Sequence, residues 1–202
     1  VPLEISLSDL RPAEIDPDEL VSLLEELEFK SILAELKVKE VPELVFRLVT
    51  SQEELEDLVA RIHKAEEFSL DLETTGKDPH TAEIVGIALA LRPYEGYYIP
   101  VGHDYQGAPD QLPLSQVLSA LKPLLEGERP RVIGQNLKYD VEVLARYGID
   151  VRGICFDAMI AHWLLHPNAP SHGLETIVRD ELGQRVQSYK ELLAEGGEGE
   201  IR

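Results

Sequence analysis

Two carboxylates stand two residues apart in Ser69-Leu70-Asp71-Leu72-Glu73-Thr74-Thr75-Gly76. On an extended strand, residues two apart share a face. Phe68, Leu70 and Leu72 are therefore predicted to enter a core, with Asp71 and Glu73 side by side on the opposite face. Neighbouring like charges repel, and either water or a cation between them relieves the repulsion. Hard cations such as Mg²⁺ or Mn²⁺ select carboxylate oxygens of this kind. The bland alternative is a solvated polar strand face, and the pair alone does not decide. A second signal is Gly134-Gln135-Asn136-Leu137-Lys138-Tyr139-Asp140. A short apolar strand runs into Gly134 and a helix follows. Asp140 falls in its first turn, where the helix dipole favours an acid for purely structural reasons. If Asp140 instead reaches the sheet edge facing Asp71 and Glu73, the converging carboxylates can hold two divalent ions ~4 Å apart, the arrangement for in-line attack on a phosphodiester.

Other reactive side chains have ordinary readings. His103 and Asp104 follow a strand, where a turn-forming hydrogen bond explains them better than metal ligation. His162, His166 and His172 straddle a helix end and a loop; their spacing suits zinc only weakly, with no cysteines to help. Cys155 lies in an apolar segment and is expected in the core, as is Trp163, at helical spacing from Met159. The acids from Glu25 to Glu28 read as a solvated helix face.

The elements that must position these groups fit a chain of 202 residues, one domain with an appendage. Hydrophobic residues at 44% and charged residues at 28% match globular averages and exclude wholesale disorder. Nineteen Lys and Arg against 38 Asp and Glu give a net charge of −19, which excludes a free-standing coater of nucleic acid. Contact with nucleic acid must then be local, through divalent metals, or helped by a basic partner. The single cysteine excludes a disulfide framework and suits a reducing, cytoplasmic setting. No apolar run is long enough to cross a membrane. A short strand is predicted at Leu3 to Leu7, then a helix from Asp16-Pro17 with Leu20, Leu23, Leu24 and Leu27 on one face, then a linker around 37–42. Val45 to Val49 reads as a strand, and Ser51 with Glu54 as the capping box of a helix to Ala65. Strands at 68–73, 83–91 and 96–101 have connections too short for helical crossovers and predict an antiparallel meander. A helix over 113–126, a strand at 131–133, a helix over 138–147, a strand at 153–156 and helices over 157–165, 174–182 and 188–194 follow. The order predicts an α/β fold with a mixed sheet, three antiparallel strands and then strand–helix units, compatible with a ribonuclease H-like fold.

Leu70-Asp71-Leu72-Glu73-Thr74 resembles the first motif of the DEDD superfamily of 3′–5′ exonucleases, and Gly134 to Asp140 resembles the second motif as found in bacterial family-A DNA polymerases. Tyr98 to Tyr105, Leu121 to Glu126 and Tyr147 to Ile154 with Phe156-Asp157 are also similar to the proofreading domain of that family. The likeness covers residues 44 to 193; residues 1 to about 40 resemble the end of a 5′-nuclease domain and a linker. The resemblance implies that Asp71, Glu73 and Asp140 are catalytic and hold two Mg²⁺ or Mn²⁺ ions. It implies that Thr74, Asn136 and Tyr189 meet the single-stranded 3′ end of DNA. An aromatic at Tyr189 offers a stacking face for an unpaired base, with packing of the last helix as the alternative. A polymerase domain in the same protein and a monomeric state are likewise implied.

One departure stands out. The family's third motif, Tyr-x-x-x-Asp, is absent: Leu193 lies four residues after Tyr189. The expectation is a piece of a longer polymerase, truncated before that motif, with weakened metal binding and impaired cleavage. A catalytically silent scaffold between nuclease and polymerase domains stays open as the alternative, as does an RNA-trimming exonuclease.

Overall fold

The computed structural model describes residues 16–27, 29, 32–33 and 44–184. Its strands are β1 (Val45–Leu48), β2 (Glu67–Thr74), β3 (Ile84–Arg92), β4 (Glu95–Pro100), β5 (Arg131–Gly134) and β6 (Ile154–Asp157). Its helices are α1 (Pro17–Glu26), α2 (Gln52–Lys64), α3 (Leu114–Leu125), α4 (Leu137–Arg146), α5 (Ala158–Leu165) and α6 (Leu174–Ile177), the last continuing as a π-helical turn, Val178–Leu182. The strands form one mixed sheet in the order β1-β4-β3-β2-β5-β6. The meander β2-β3-β4 is antiparallel, as its short connections require. Parallel β5 and β6 extend the sheet beyond β2, and β1 adds a parallel edge beside β4. This is the ribonuclease H-like α/β arrangement anticipated from the element order.

Strand alternation sorts the two faces. Leu70, Leu72, Ile87, Leu89, Tyr97 and Ile99 turn to one side and are buried. Leu55, Leu58 and Ile62 of α2, Leu121 and Leu125 of α3 and Leu144 of α4 close over them as a single core. Each such side chain, fully buried, contributes roughly 1.5–3 kcal/mol. Helix α2 starts as its sequence directs: Ser51 Oγ accepts from the Glu54 N–H, and Glu54 Oε2 accepts from the Ser51 N–H at 3.0 Å. On the opposite face Asp71, Ala88 and Tyr98 line up across three strands, as do Glu73, Gly86 and Pro100.

Several expectations fail, and the reasons are local. Cys155 is exposed rather than buried, and Trp163 is 55% exposed. Cys155 lies on β6, the last strand of the sheet, and Trp163 on α5, whose Ile160, Leu164 and Leu165 are exposed as well; apolar spacing there makes a stripe that no described layer covers. Leu24 of α1 is buried, whereas Leu23 and Leu27 are half-exposed, so the predicted leucine face is only partly used. The helix expected over 174–182 changes to π geometry after Ile177. The strand at 3–7, the linker around 37–42, the helix over 188–194 and Tyr189 lie outside the described residues. No described helix is long and apolar enough to cross a membrane.

Candidate active site

The site is built where the β2–β5 ladder stops. The two strands pair from Glu67–Arg131 to Ser69–Ile133. Beyond that point β5 turns away at Gly134, which passes so close to β2 that a Cβ there would sit 2.8 Å from the Leu70 carbonyl oxygen. The backbone of β2 is then left without a strand neighbour on that side. Asp140 fills the gap: its Oδ1 accepts the Leu72 N–H at 3.0 Å. The carboxylate of α4 is thereby fixed beside the residue that separates Asp71 from Glu73. Asp140 is 3% exposed, so its position is set by packing as well as by the bond.

The turn between β5 and α4 is held by a residue from another element. Asp157, at the end of β6, caps α5 by accepting from the Met159 and Ile160 N–H groups. The same carboxylate accepts from Asn136 N at 3.1 Å and Leu137 N at 2.8 Å, the first N–H groups of α4. One side chain thus satisfies the exposed donors of two helix starts. Asn136 itself adopts a left-handed backbone, φ 59°, a conformation asparagine tolerates better than most residues. Its side chain makes no capping bond.

On the other flank, the Tyr139 hydroxyl donates to the Gly76 carbonyl and lies 2.6 Å from Thr74 Oγ1, tying α4 to the turn after β2. Tyr98 stands on the carboxylate face of β4. Its ring overlies Gly86, where any side chain would collide with it, and its hydroxyl is 2.6 Å from His103 Nε2.

The electrostatics are those of acids gathered without a counter-charge. Burial, and then the Glu73 charge, push Asp71 up to about 6. Burial raises Glu73 as well. Asp140 is pushed up to about 7, first by burial and then by Asp71, against the opposing pull of the Leu72 N–H. Tyr98 is raised to about 12 by burial, then by Glu73 and Tyr105. Among the described residues no lysine or arginine pairs with Asp71, Glu73 or Asp140. By contrast Glu95, with Arg47, Arg61 and Arg92 around it, is pulled down to about 2 by its Tyr97 hydrogen bond and then by Arg92. Among the described residues, the fold surrounds buried Glu95 with arginines and gives none to buried Asp140 or to Asp71 and Glu73, which stand on the open face of β2.

The structure therefore brings Asp71, Glu73 and Asp140 to one sheet edge, with Thr74 and Asn136 at its rim. Tyr189 lies outside the described residues. The parts played by Asp157, Tyr139 and Tyr98 were not read from sequence. Asp157 carried a signal, an acid directly before a helix, but nothing local tells that it also holds the turn at Asn136. His103 behaves as a loop residue, exchanging two 2.8 Å hydrogen bonds with Gln111 through its backbone.

Residues 46–199 match the family model described as 3′–5′ exonuclease. DNA polymerase I of Pseudomonas aeruginosa is 32% identical to this chain over 97% of it and 23% of the relative's length. DNA polymerase I of Chloroflexus aurantiacus is 40% identical over 55% of the chain and 12% of its own length. The chain thus spans less than a quarter of these two relatives. Among solved structures, the EXO domain of Aedes aegypti Nibbler shares the fold, with a TM-score of 0.56 at 15% identity over 73% of each chain. The chain belongs to the 3′–5′ exonuclease family, as an exonuclease domain of the type carried by DNA polymerase I.

Proposed function

We propose that this domain proofreads for a DNA polymerase I, hydrolysing the 3′-terminal phosphodiester of single-stranded or frayed DNA and releasing a nucleoside monophosphate. The observation that carries the reading is the convergence of Asp71, Glu73 and Asp140 from two elements, with Asp140 bonded to the backbone between the other two. Three acids raised by burial, Asp71 and Asp140 also by a neighbouring carboxylate, with no basic partner among the described residues, form a donor set that fits Mg²⁺ or Mn²⁺. Those residues would hold the ions, which when bound activate water and offset the charge developing on the phosphate.

The rest of the work falls to the chain itself. Asp140 is held by Leu72, so its carboxylate does not have to be ordered when substrate arrives. Asn136 presents a side-chain amide with no capping bond at the start of α4, which we assign to the single-stranded 3′ end. Thr74 lies at the rim, its hydroxyl already donating to Gly76, and is placed to contact the terminal nucleotide. Tyr189 is assigned to the same 3′ end. Mispaired ends fray more readily than paired ones, so the cost of melting supplies part of the discrimination. With a net charge of −19, the domain depends on the ions and on a basic polymerase domain in the same protein to meet DNA. We assign residues 1–40 to the end of a 5′-nuclease domain with its linker and residues 41–202 to the exonuclease domain, acting as a monomer in the cytoplasm. The silent-scaffold reading is not favoured, since three uncompensated acids are retained at a cost to stability.

The test uses the longest product of the gene and this chain in parallel, with Mn²⁺ calorimetry and digestion of 3′-labelled single-stranded DNA and of matched RNA. Metal-dependent loss of the DNA label, abolished by Asp71→Ala, is the expected result. Equal digestion by the Asp71→Ala variant refutes the assignment, and faster digestion of RNA refutes the substrate.

A further inference from the structure

A second cluster of ligating side chains lies apart from the three acids, on the last described elements. His162 lies on α5 and His166 is the residue that caps its C-terminus, four positions on, with the two ring centroids 4.9 Å apart. Glu181, from the π-helical turn, reaches back between them: its Oε1 is 2.8 Å from His166 Nε2 and 3.9 Å from His162 Nε2. One ligand atom from each of the three residues lies within 4.8 Å of the others. His162 is 3% exposed, unusual for a histidine on a helix whose other face is largely open to solvent. Its remaining nitrogen, Nδ1, is 2.7 Å from Nδ1 of His172.

We propose that His162, His166 and Glu181 form a zinc site. Two imidazoles at i and i+4 with one carboxylate make a donor set that borderline cations prefer and that Mg²⁺, which requires several oxygens, does not. The contact with His172 completes the arrangement. For His162 Nε2 to bind a cation, the ring proton must sit on Nδ1, and His172 Nδ1 is there to accept it; metal-bound histidines usually donate their other ring N–H in this way. His166 and Glu181 are half-exposed, so water completes the fourth position. The ion joins α5 to the π-helical turn, which has no buried residue of its own. It also braces His172, whose carbonyl accepts from Gln135, next to Asn136 in the turn before α4.

The experiment titrates Zn²⁺ by calorimetry into the chain carrying Asp71→Asn and Asp140→Asn, which removes binding at the acidic site. His166→Ala and Glu181→Gln are added singly; both residues are half-exposed, so folding is retained. The expected result is one zinc per chain, weakened roughly tenfold or more by either added substitution, as loss of a metal partner does. Co²⁺ should give the visible absorption of a four-coordinate ion, lost in both variants, and excess Mg²⁺ should not displace zinc. Absence of zinc binding in the Asp71→Asn/Asp140→Asn chain, or affinity unchanged by both added substitutions, overturns the proposal.

Discussion

Replacing Asp140 by Asn should stabilise the metal-free protein while removing its cleavage. Asp140 is 3% exposed, and its carboxyl is raised from an ordinary 3.8 to about 7, by burial first and by Asp71 second. The folded chain therefore binds this proton more tightly than the unfolded chain. The resulting stability is complete below pH 3.8 and is lost as pH rises through about 7. Three pKa units at ~1.36 kcal/mol each give a ceiling of about 4 kcal/mol lost by pH 8. Asparagine carries no charge, and its Oδ1 can still accept from the Leu72 N–H. Its amide hydrogens need a partner in a buried place, which offsets roughly 1–2 kcal/mol. The net expectation is a gain of about 2–3 kcal/mol at pH 8 in chelator, a rise in Tm of about 5–10 °C for a domain of this size. At pH 4 most of the gain disappears. Saturating Mn²⁺ should close the gap at pH 8 from the other side, because only the complete acid set gains ligand stabilisation. Calorimetric melts of both proteins across this pH range, with and without metal, are the assay. A Tm difference in chelator that is the same at pH 4 and pH 8 refutes the argument, because a carboxyl with unperturbed ionisation would give that result.

Three further outcomes follow from the same geometry. Asp157→Ala strips a carboxylate from four N–H groups at two helix starts and should cost about 2–4 kcal/mol in urea unfolding, with slower digestion of single strands as the Asn136 turn loosens; an unchanged midpoint would show that the shared cap contributes little. Gly134→Ala places a Cβ 2.8 Å from the Leu70 carbonyl and should destabilise by about 1–3 kcal/mol, and a melting curve matching the parent protein would mean that β5 yields without strain. Glu95→Gln should lower Tm at neutral pH but not at pH 2: Glu95 is held at about 2, so its stabilisation is present above its ordinary 4.5 and lost as pH falls through about 2, and a Tm gap unchanged at pH 2 would rule out the ion-pair account.

The parts of the fold that sequence reveals are those determined by neighbours along the chain. The alternation in Phe68-Ser69-Leu70-Asp71-Leu72-Glu73 separates core from site because a strand's period is two residues, and no tertiary information is needed. Short connections force the meander, and Ser51 with Glu54 marks the start of α2 before any packing is known. Cys155 and Trp163 were misplaced for the converse reason. Their spacing describes a stripe, but whether a second layer covers the stripe is not written in the spacing; among the described residues none does, and β6 is the last strand of the sheet. The histidines were discounted because the partner that makes them a set, Glu181, lies fifteen residues past His166 and arrives only through the π-helical turn.

The acidic site shows the same division and explains it. Asp71 and Glu73 are juxtaposed by local geometry, and their repulsion is legible at once. Asp140 is first-turn helix chemistry in the sequence; it becomes part of the site only because the β2–β5 ladder stops at Ser69 and leaves the Leu72 N–H to be satisfied. Local preference therefore places an acid at a helix start, and the unfinished ladder aims it. The arrangement is unfavourable in itself, since burial raises Asp71, Glu73 and Asp140, and neighbouring charge raises Asp71 and Asp140 further. A fold under no other constraint would relieve it with a basic partner, as this one does at Glu95 with three arginines. That the same sheet surrounds Glu95 with arginines and leaves Asp71, coupled to both Glu73 and Asp140, with none among the described residues is the physical reason to assign the missing positive charge to divalent cations.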